Sequence, residues 1–357
     1  MSRVRIAAFV VVTLSCTNVF AEVDPVVWSD VPIIKHSTYQ AVNDAGQSMY
    51  PSDGFPLRLR GVLLNNPEDW LDATFQDPPM GPGGQWEVFV QAVNLDDTRH
   101  DPYDDSTFND FGGTAAWMGQ NYAFLPGKPD HFFYDEAQWA AELTRLNSAG
   151  GTAGSDPIRA GDLIELRARG GKNFQGKMNV NEQHDTDHDR MDNWDGLGTP
   201  GDGENHDFEI VLLEQGFGRP AAQPLTLDTF KDSSDQYIFD ADRETGGERY
   251  QSTWVELQNV KLVDDPDDWG SDADLTLTDA TGRTLPIHLG MNDSFDTALA
   301  PDGWFNVSGI INQGGSDTGG YYLLALDAGD FVPEPASLVL LVGGGVLIGI
   351  RRNRGRA

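Results

Sequence analysis

From residue 57 onward, apolar and polar side chains alternate in short runs, the pattern of strands with one buried face. Residues 57–64 and 86–93 are the first two runs. Asn65-Asn66-Pro67 closes the first, and Gly83-Gly84 turns into the second. Residues 94–119 break the pattern: they are polar, rich in Asp and Gly, and predict a long excursion before a third strand at 122–125. Between 134 and 146 the period becomes helical, with Ala137, Ala140, Leu143 and Leu146 on one face, Phe133 flanking them and 147–151 as the stop. Residues 162–169 alternate strictly, and 207–213 form a last strand beyond a long acidic loop. Strand, strand, strand, helix, strand, strand is the order of an OB barrel.

The second half repeats that order in compact form. Strands are expected at 253–263, 274–278, 283–289, 303–311 and 321–326, with a helical turn near 294–299. Residues 61–70 align with 259–269, allowing one extra residue, and both stretches end on Asp-Trp. Residues 157–164 match 300–305 as the lead into the fourth strand. An internal duplication accounts for this; the alternative is two unrelated β domains with similar turn chemistry. The expected architecture is mainly β, two OB-like β-barrel domains in tandem at 57–214 and 237–331. An N-terminal segment (22–56, with a short strand at 26–28 or 33–34) precedes them, and a linker (215–236) joins them.

Both ends carry addresses in place of domain elements. Arg3 and Arg5 precede an apolar stretch at 6–14, and Val19-Phe20-Ala21 supplies a cleavage site, so 1–21 is expected to be a secretory signal peptide. At the other end Pro333, Glu334 and Pro335 precede an uncharged apolar run at 336–350, closed by Arg351, Arg352, Arg354 and Arg356. The run falls short of the ~20 residues of a full helical span; snorkelling arginines extend it, and they place the C-terminus in the cytoplasm. This three-part order resembles the PEP-CTERM sorting signal. The resemblance implies processing by an exosortase-type membrane protease at the Pro-Glu-Pro motif and delivery to the cell surface or matrix. A plain C-terminal anchor is the alternative. Residues 237–331 also resemble OB-like domains of bacterial extracellular proteins, on Gly247–Val260, Leu277–Gly282 and Gly303–Gly309.

The net charge is −32 over 357 residues. Removing 1–21 and 336–357 takes six arginines and no acid, which leaves 18 basic against 56 acidic residues, or −38. Such a charge repels nucleic acid and anionic membranes and favours cations. The single cysteine, Cys16, lies in the signal stretch, so the exported chain has no disulfide and no thiol chemistry.

Candidate chemistry concentrates in the acidic loop. Asp185, Asp187 and Asp189 alternate as in a calcium loop, but Arg190 and Gly196 occupy the places of the EF-hand glycine and glutamate. His184 and His188, with Asp185 or His206, suit a transition metal instead, and a solvated loop without metal is the third possibility. Trp117, Phe108 and Phe111 thread a second acidic stretch and suit stacking on sugar rings or pinning of the loop. The carboxylates at Glu68-Asp69 and 264–268 fall at hairpin tips, which argues against glycoside hydrolysis. His36, His100, His131 and His288 stand alone in the sequence and suggest structural or surface roles. The expectation is a non-catalytic surface or matrix protein, binding calcium or another cation, a polysaccharide or another surface protein. The alternative is a secreted metal-dependent hydrolase centred on 184–207.

Overall fold

In the computed structural model, residues 26–51, 54–77, 81, 83–93, 110–121, 134–147, 157–169, 171–182 and 208–334 are described. Among its described residues the N-terminal segment forms no strand, at 26–28 or at 33–34. A 3-10 turn (Trp28–Asp30) and a one-turn helix α1 (His36–Tyr39) lie against the first sheet, joined by an isolated bridge between Ile33 and Arg58.

The first sheet contains β1 (Leu57–Leu63), β2 (Leu71–Asp72), β3 (Gln85–Gln91), β4 (Gly113–Gly119), β5 (Leu163–Ala168), β6 (Lys172–Phe174), β7 (Lys177–Glu182) and β8 (Phe208–Glu214). Its order is β6-β7-β4-β3-β1-β5-β8, with β2 beside β3. The pleat sends successive side chains to opposite faces. Leu57 and Leu59 therefore enter the core, while Arg58 and Arg60 point outward to the buried Glu165 of β5. Helix α2 (Glu136–Leu146) covers this core with Trp139 and Leu146. A capping box starts it: the Gln138 N–H donates to the Asp135 carboxylate at 2.8 Å, and the Asp135 N–H to Gln138 Oε1 at 2.9 Å.

The second sheet contains β9 (Gln223–Leu225), β10 (Trp254–Leu262), β11 (Asp274–Thr278), β12 (Thr284–Leu289), β13 (Phe305–Gln313), β14 (Tyr321–Ala325) and β15 (Phe331–Pro333), with one-turn helices α3 (Gly246–Arg249) and α4 (Ser294–Thr297). Strands β10-β11-β12-β14-β13 close back onto β10 as a five-stranded barrel. Strands β12 and β14 run parallel, and α4 falls between the third and fourth strands. That is an OB-like order.

Several expectations need correction. Strand β4 lies inside the stretch expected to be an excursion, and residues 122–125 fall outside the described residues. Strands β6 and β7 were not anticipated. Among the described residues the first sheet does not close as a five-stranded barrel: β7 pairs parallel with β4, β8 pairs with β5, and no ladder joins β7 to β8. Residues 183–207 connect those two strands. The expected linker carries β9, which pairs parallel with β10, and it buries Leu227 and Phe230 in the second core. The two sheets are also packed together. Leu64, Trp70, Phe89 and Ala115 of the first meet Trp254, Ile310, Leu324 and Leu326 of the second in one apolar seam.

Strand β15 pairs antiparallel with β13, with Pro333 opposite Phe305, and the Glu334 N–H still donates to Trp304 O at 3.1 Å. The signal stretch 1–21, Pro335, the apolar run 336–350 and Arg351, Arg352, Arg354 and Arg356 lie outside the described residues. Among the described residues no helix is long and apolar enough to cross a membrane.

Candidate functional site

Beside the apolar seam the two sheets diverge and leave a cleft of about 430 Å³. One wall comes from the first sheet. Glu87 on β3, Trp117 on β4 and Asn181 on β7 are ladder partners in one row. Gln85, Lys177 and Asn179 lie beside them, and Lys172 and Phe174 of β6 form the rim. The residue types follow the pleat of β7: Met178 and Val180 enter the core, so Lys177, Asn179 and Asn181 face the cleft. The other wall carries His288 of β12, Gln313 of β13, and Tyr322 and Leu324 of β14, with Trp70 at the junction.

The polar groups at the base are cross-linked. Lys177 Nζ donates to Asn312 Oδ1 at 2.5 Å and lies 3.4 Å from Glu87 Oε1. Asn312 Nδ2 donates to the Tyr322 hydroxyl at 2.9 Å, and burial pushes that phenol's pKa up. His288 packs edge-on to Trp70, ring centroids 4.9 Å apart, and its nitrogens lie 3.0 Å from Asp272 Oδ1 and 3.0 Å from Asp274 Oδ1. Three buried atoms of the lining have no hydrogen-bond partner: the indole N–H of Trp70 and the side-chain oxygens of Asn179 and Asn181. Leaving such a group unsatisfied costs about 1–3 kcal/mol.

A second buried polar cluster lies at the boundary and joins the cleft lining through Gln313, which accepts from Gln251 Nε2. Glu248 accepts the Tyr321 hydroxyl at 2.7 Å and Gln251 Nε2 at 3.0 Å. Burial pushes the Glu248 carboxyl up to about 7, against the hydrogen bond from Tyr321 and the charge of Arg243. The Arg243 guanidinium, brought down to about 10 by burial, donates to Glu248 O at 2.8 Å and Ser37 O at 3.1 Å. On the first sheet's side, His36 Nδ1 lies 2.9 Å from Thr114 Oγ1, and the His36 backbone N–H donates to Asp110 at 2.8 Å. Burial lowers the pKa of that imidazole. A more open hollow of about 620 Å³ lies over Arg243 and Phe111, edged by Asn43 and Asp44.

The sequence candidates divide sharply. His184, Asp185, Asp187, His188 and Asp189, with His206, lie outside the described residues, as does Phe108. Among the described residues no three His, Cys, Asp or Glu side chains are grouped to hold a metal. Of the aromatic trio, Trp117 lines the cleft, while Phe111 lies under Arg243 and Arg249, each 4.9 Å from its centroid. The hairpin carboxylates have structural partners: Glu68 pairs with Arg159, Asp69 caps a 3-10 turn through Asn66 N–H, and Asp264 accepts Thr276 N–H. His36 is an interior packing residue, whereas His288, expected alone, lines the cleft. Reasoning from sequence missed Asn179 and Asn181. Their signal was the alternation of Met178 and Val180 with amides, which marks a short strand with one polar face.

No family model matches the chain, and no curated protein does. Among solved structures, a deletion mutant of the single-stranded DNA binding protein from Thermus aquaticus aligns with 75% of this chain and 91% of its own. The identity is 10% and the TM-score 0.16. At that score the likeness carries no argument, and the strand order of the barrel stands on its own pairing.

Proposed function

We propose that the protein is an exported, non-catalytic component of the cell surface or extracellular matrix. A secretory signal delivers it, the C-terminal segment holds it briefly in the inner membrane with the arginines in the cytoplasm, and an exosortase-type protease processes it at Pro333-Glu334-Pro335. The junction at β15 carries this reading. The second barrel makes its ladder with β13 through Pro333, and the last bond uses Glu334. A cut after the motif therefore removes none of the described strands of the barrel. The inter-sheet cleft is the surface on which a polysaccharide or another surface component binds, and calcium at Asp185, Asp187 and Asp189 is a second proposal. A net charge of −32 argues against nucleic acid as a partner.

Cell fractionation tests the address. The full chain should reach the surface or medium only in cells that hold an exosortase-type protease. Replacing Pro333, Glu334 and Pro335 with Ala should leave it in the inner membrane. Delivery to the surface without the protease and without the motif would refute the reading.

A further inference from the structure

We infer that the cleft between the two sheets is a binding site for a neutral, hydroxyl-rich saccharide chain. This deepens the reading of the protein as a surface binder by naming the class of ligand. Its volume of about 430 Å³ lies within the ~300–1,000 Å³ typical of small-ligand sites.

The chemistry of the lining selects the ligand. The side-chain oxygens of Asn179 and Asn181 are acceptors without a donor, and the Trp70 indole N–H is a donor without an acceptor. These residues are only 4%, 4% and 5% exposed. Both kinds occur among the side chains that line the cleft, and a hydroxyl is a ligand group that donates and accepts at once. Aromatic faces supply the rest. Trp117 is half-buried in the wall and Phe174 is 46% exposed at the rim. The apolar C–H face of a sugar ring stacks on such rings while its hydroxyls reach the amides.

Charge narrows the class further. Lys177 is already engaged by Glu87 and Asn312, and His288 by Asp272 and Asp274. Lys172 adds one cation at the rim, inside a chain whose net charge is −32. A polyanion meets long-range repulsion from the chain and, among the described residues, no cluster of cations at the cleft. A neutral glycan pays no such cost.

The test is calorimetric titration of the full chain, held in a polyoxyethylene detergent free of sugar headgroups. The probes are cellohexaose, laminarihexaose, mannohexaose, glucose, a galacturonate hexamer and a dodecamer of thymidylate. At least one neutral hexasaccharide should bind, more tightly than glucose. Trp117→Ala or Phe174→Ala should weaken it at least tenfold, Phe174→Ala with no change in melting temperature, and Leu299→Ala, at a position 94% exposed, should leave it unchanged. Phe174→Ala guards against misfolding, because that ring is at the surface. No binding by any neutral glycan, tighter binding of glucose, galacturonate or thymidylate, or binding that both cleft variants leave intact would overturn the inference. A chain that is correctly sorted yet binds no glycan defeats this inference alone, and a glycan binder that is never exported defeats only the address.

Discussion

Lys177 of β7 donates from Nζ to Asn312 Oδ1 of β13 at 2.5 Å, across the boundary between the two sheets. The same ammonium lies 3.4 Å from Glu87 Oε1 on β3, and Lys177 is 5% exposed. A buried cation held by one carboxylate and one amide is costly to disturb, because removing one partner strands the other. The contact ties the base of the cleft to both of its walls. Lys177→Met keeps the aliphatic stem and removes the charge. It should cost about 3–5 kcal/mol in urea denaturation, and it should weaken glycan binding in parallel. Unchanged stability would mean that the sheets are held by the apolar seam alone.

Glu248 gives the fold a pH dependence with a defined sign. Its carboxyl stands at about 7, above the usual 4.5, chiefly through burial. The folded state therefore binds this proton more tightly than the unfolded one. The stability it contributes is full below 4.5 and is lost as pH rises to about 7. Asp330, pushed up to about 6 by burial, acts in the same direction. Glu165 acts in the opposite one. Burial would raise it, but hydrogen bonds from Arg167 and Arg60 and the charge of Arg58 hold it below its usual range, so its contribution is lost in acid. Glu248→Gln should flatten the decline of melting temperature from pH 4.5 to about 7, removing on the order of 2 kcal/mol of it. An unchanged slope would assign the effect to other groups.

The end of the barrel is anchored in its core. Phe331 sits with its centroid 5.0 Å from Trp269 and 5.4 Å from Phe305, next to Val332, which is 52% exposed. Phe331→Ala should cost about 3 kcal/mol, whereas Val332→Ala should stay within about 0.5 kcal/mol. Urea denaturation of the pair separates β15 as a strand of the barrel from β15 as a passive exit.

Calcium binding is tested by thermal unfolding of the full chain with calcium, zinc and chelator. At a hundredfold excess over its dissociation constant a bound ion adds about 2.7 kcal/mol. A calcium shift abolished by Asp185, Asp187 and Asp189→Asn supports the ion site. A zinc shift that depends on His184 and His188 supports the hydrolase instead.

The sequence made the second barrel legible because its strands bury one face, as Leu275 and Leu277 of β11 do between Asp274, Thr276 and Thr278. Strand β4 was hidden for the opposite reason. Ala116 and Met118 face the first core while Ala115 joins the seam, so nearly every position is buried and the alternation vanishes. The cleft was hidden by distance along the chain. Trp70 and His288 meet edge to edge although neither has a local pattern that points to the other. Trp117 was singled out as a sugar-stacking candidate beside acidic residues; the structure sets it among amides contributed by the unforeseen β7.

Export followed by cleavage at the Pro-Glu-Pro motif is the central claim, and the intact mass of the protein recovered from the surface or medium of the producing cell tests it most directly. The account predicts a chain that begins at Glu22 and ends at or next to Pro335, without the four C-terminal arginines, and a longer species when the exosortase-type protease is absent. A full-length mass that retains residues 1–21 and 351–357, recovered from the cytoplasm, would contradict it.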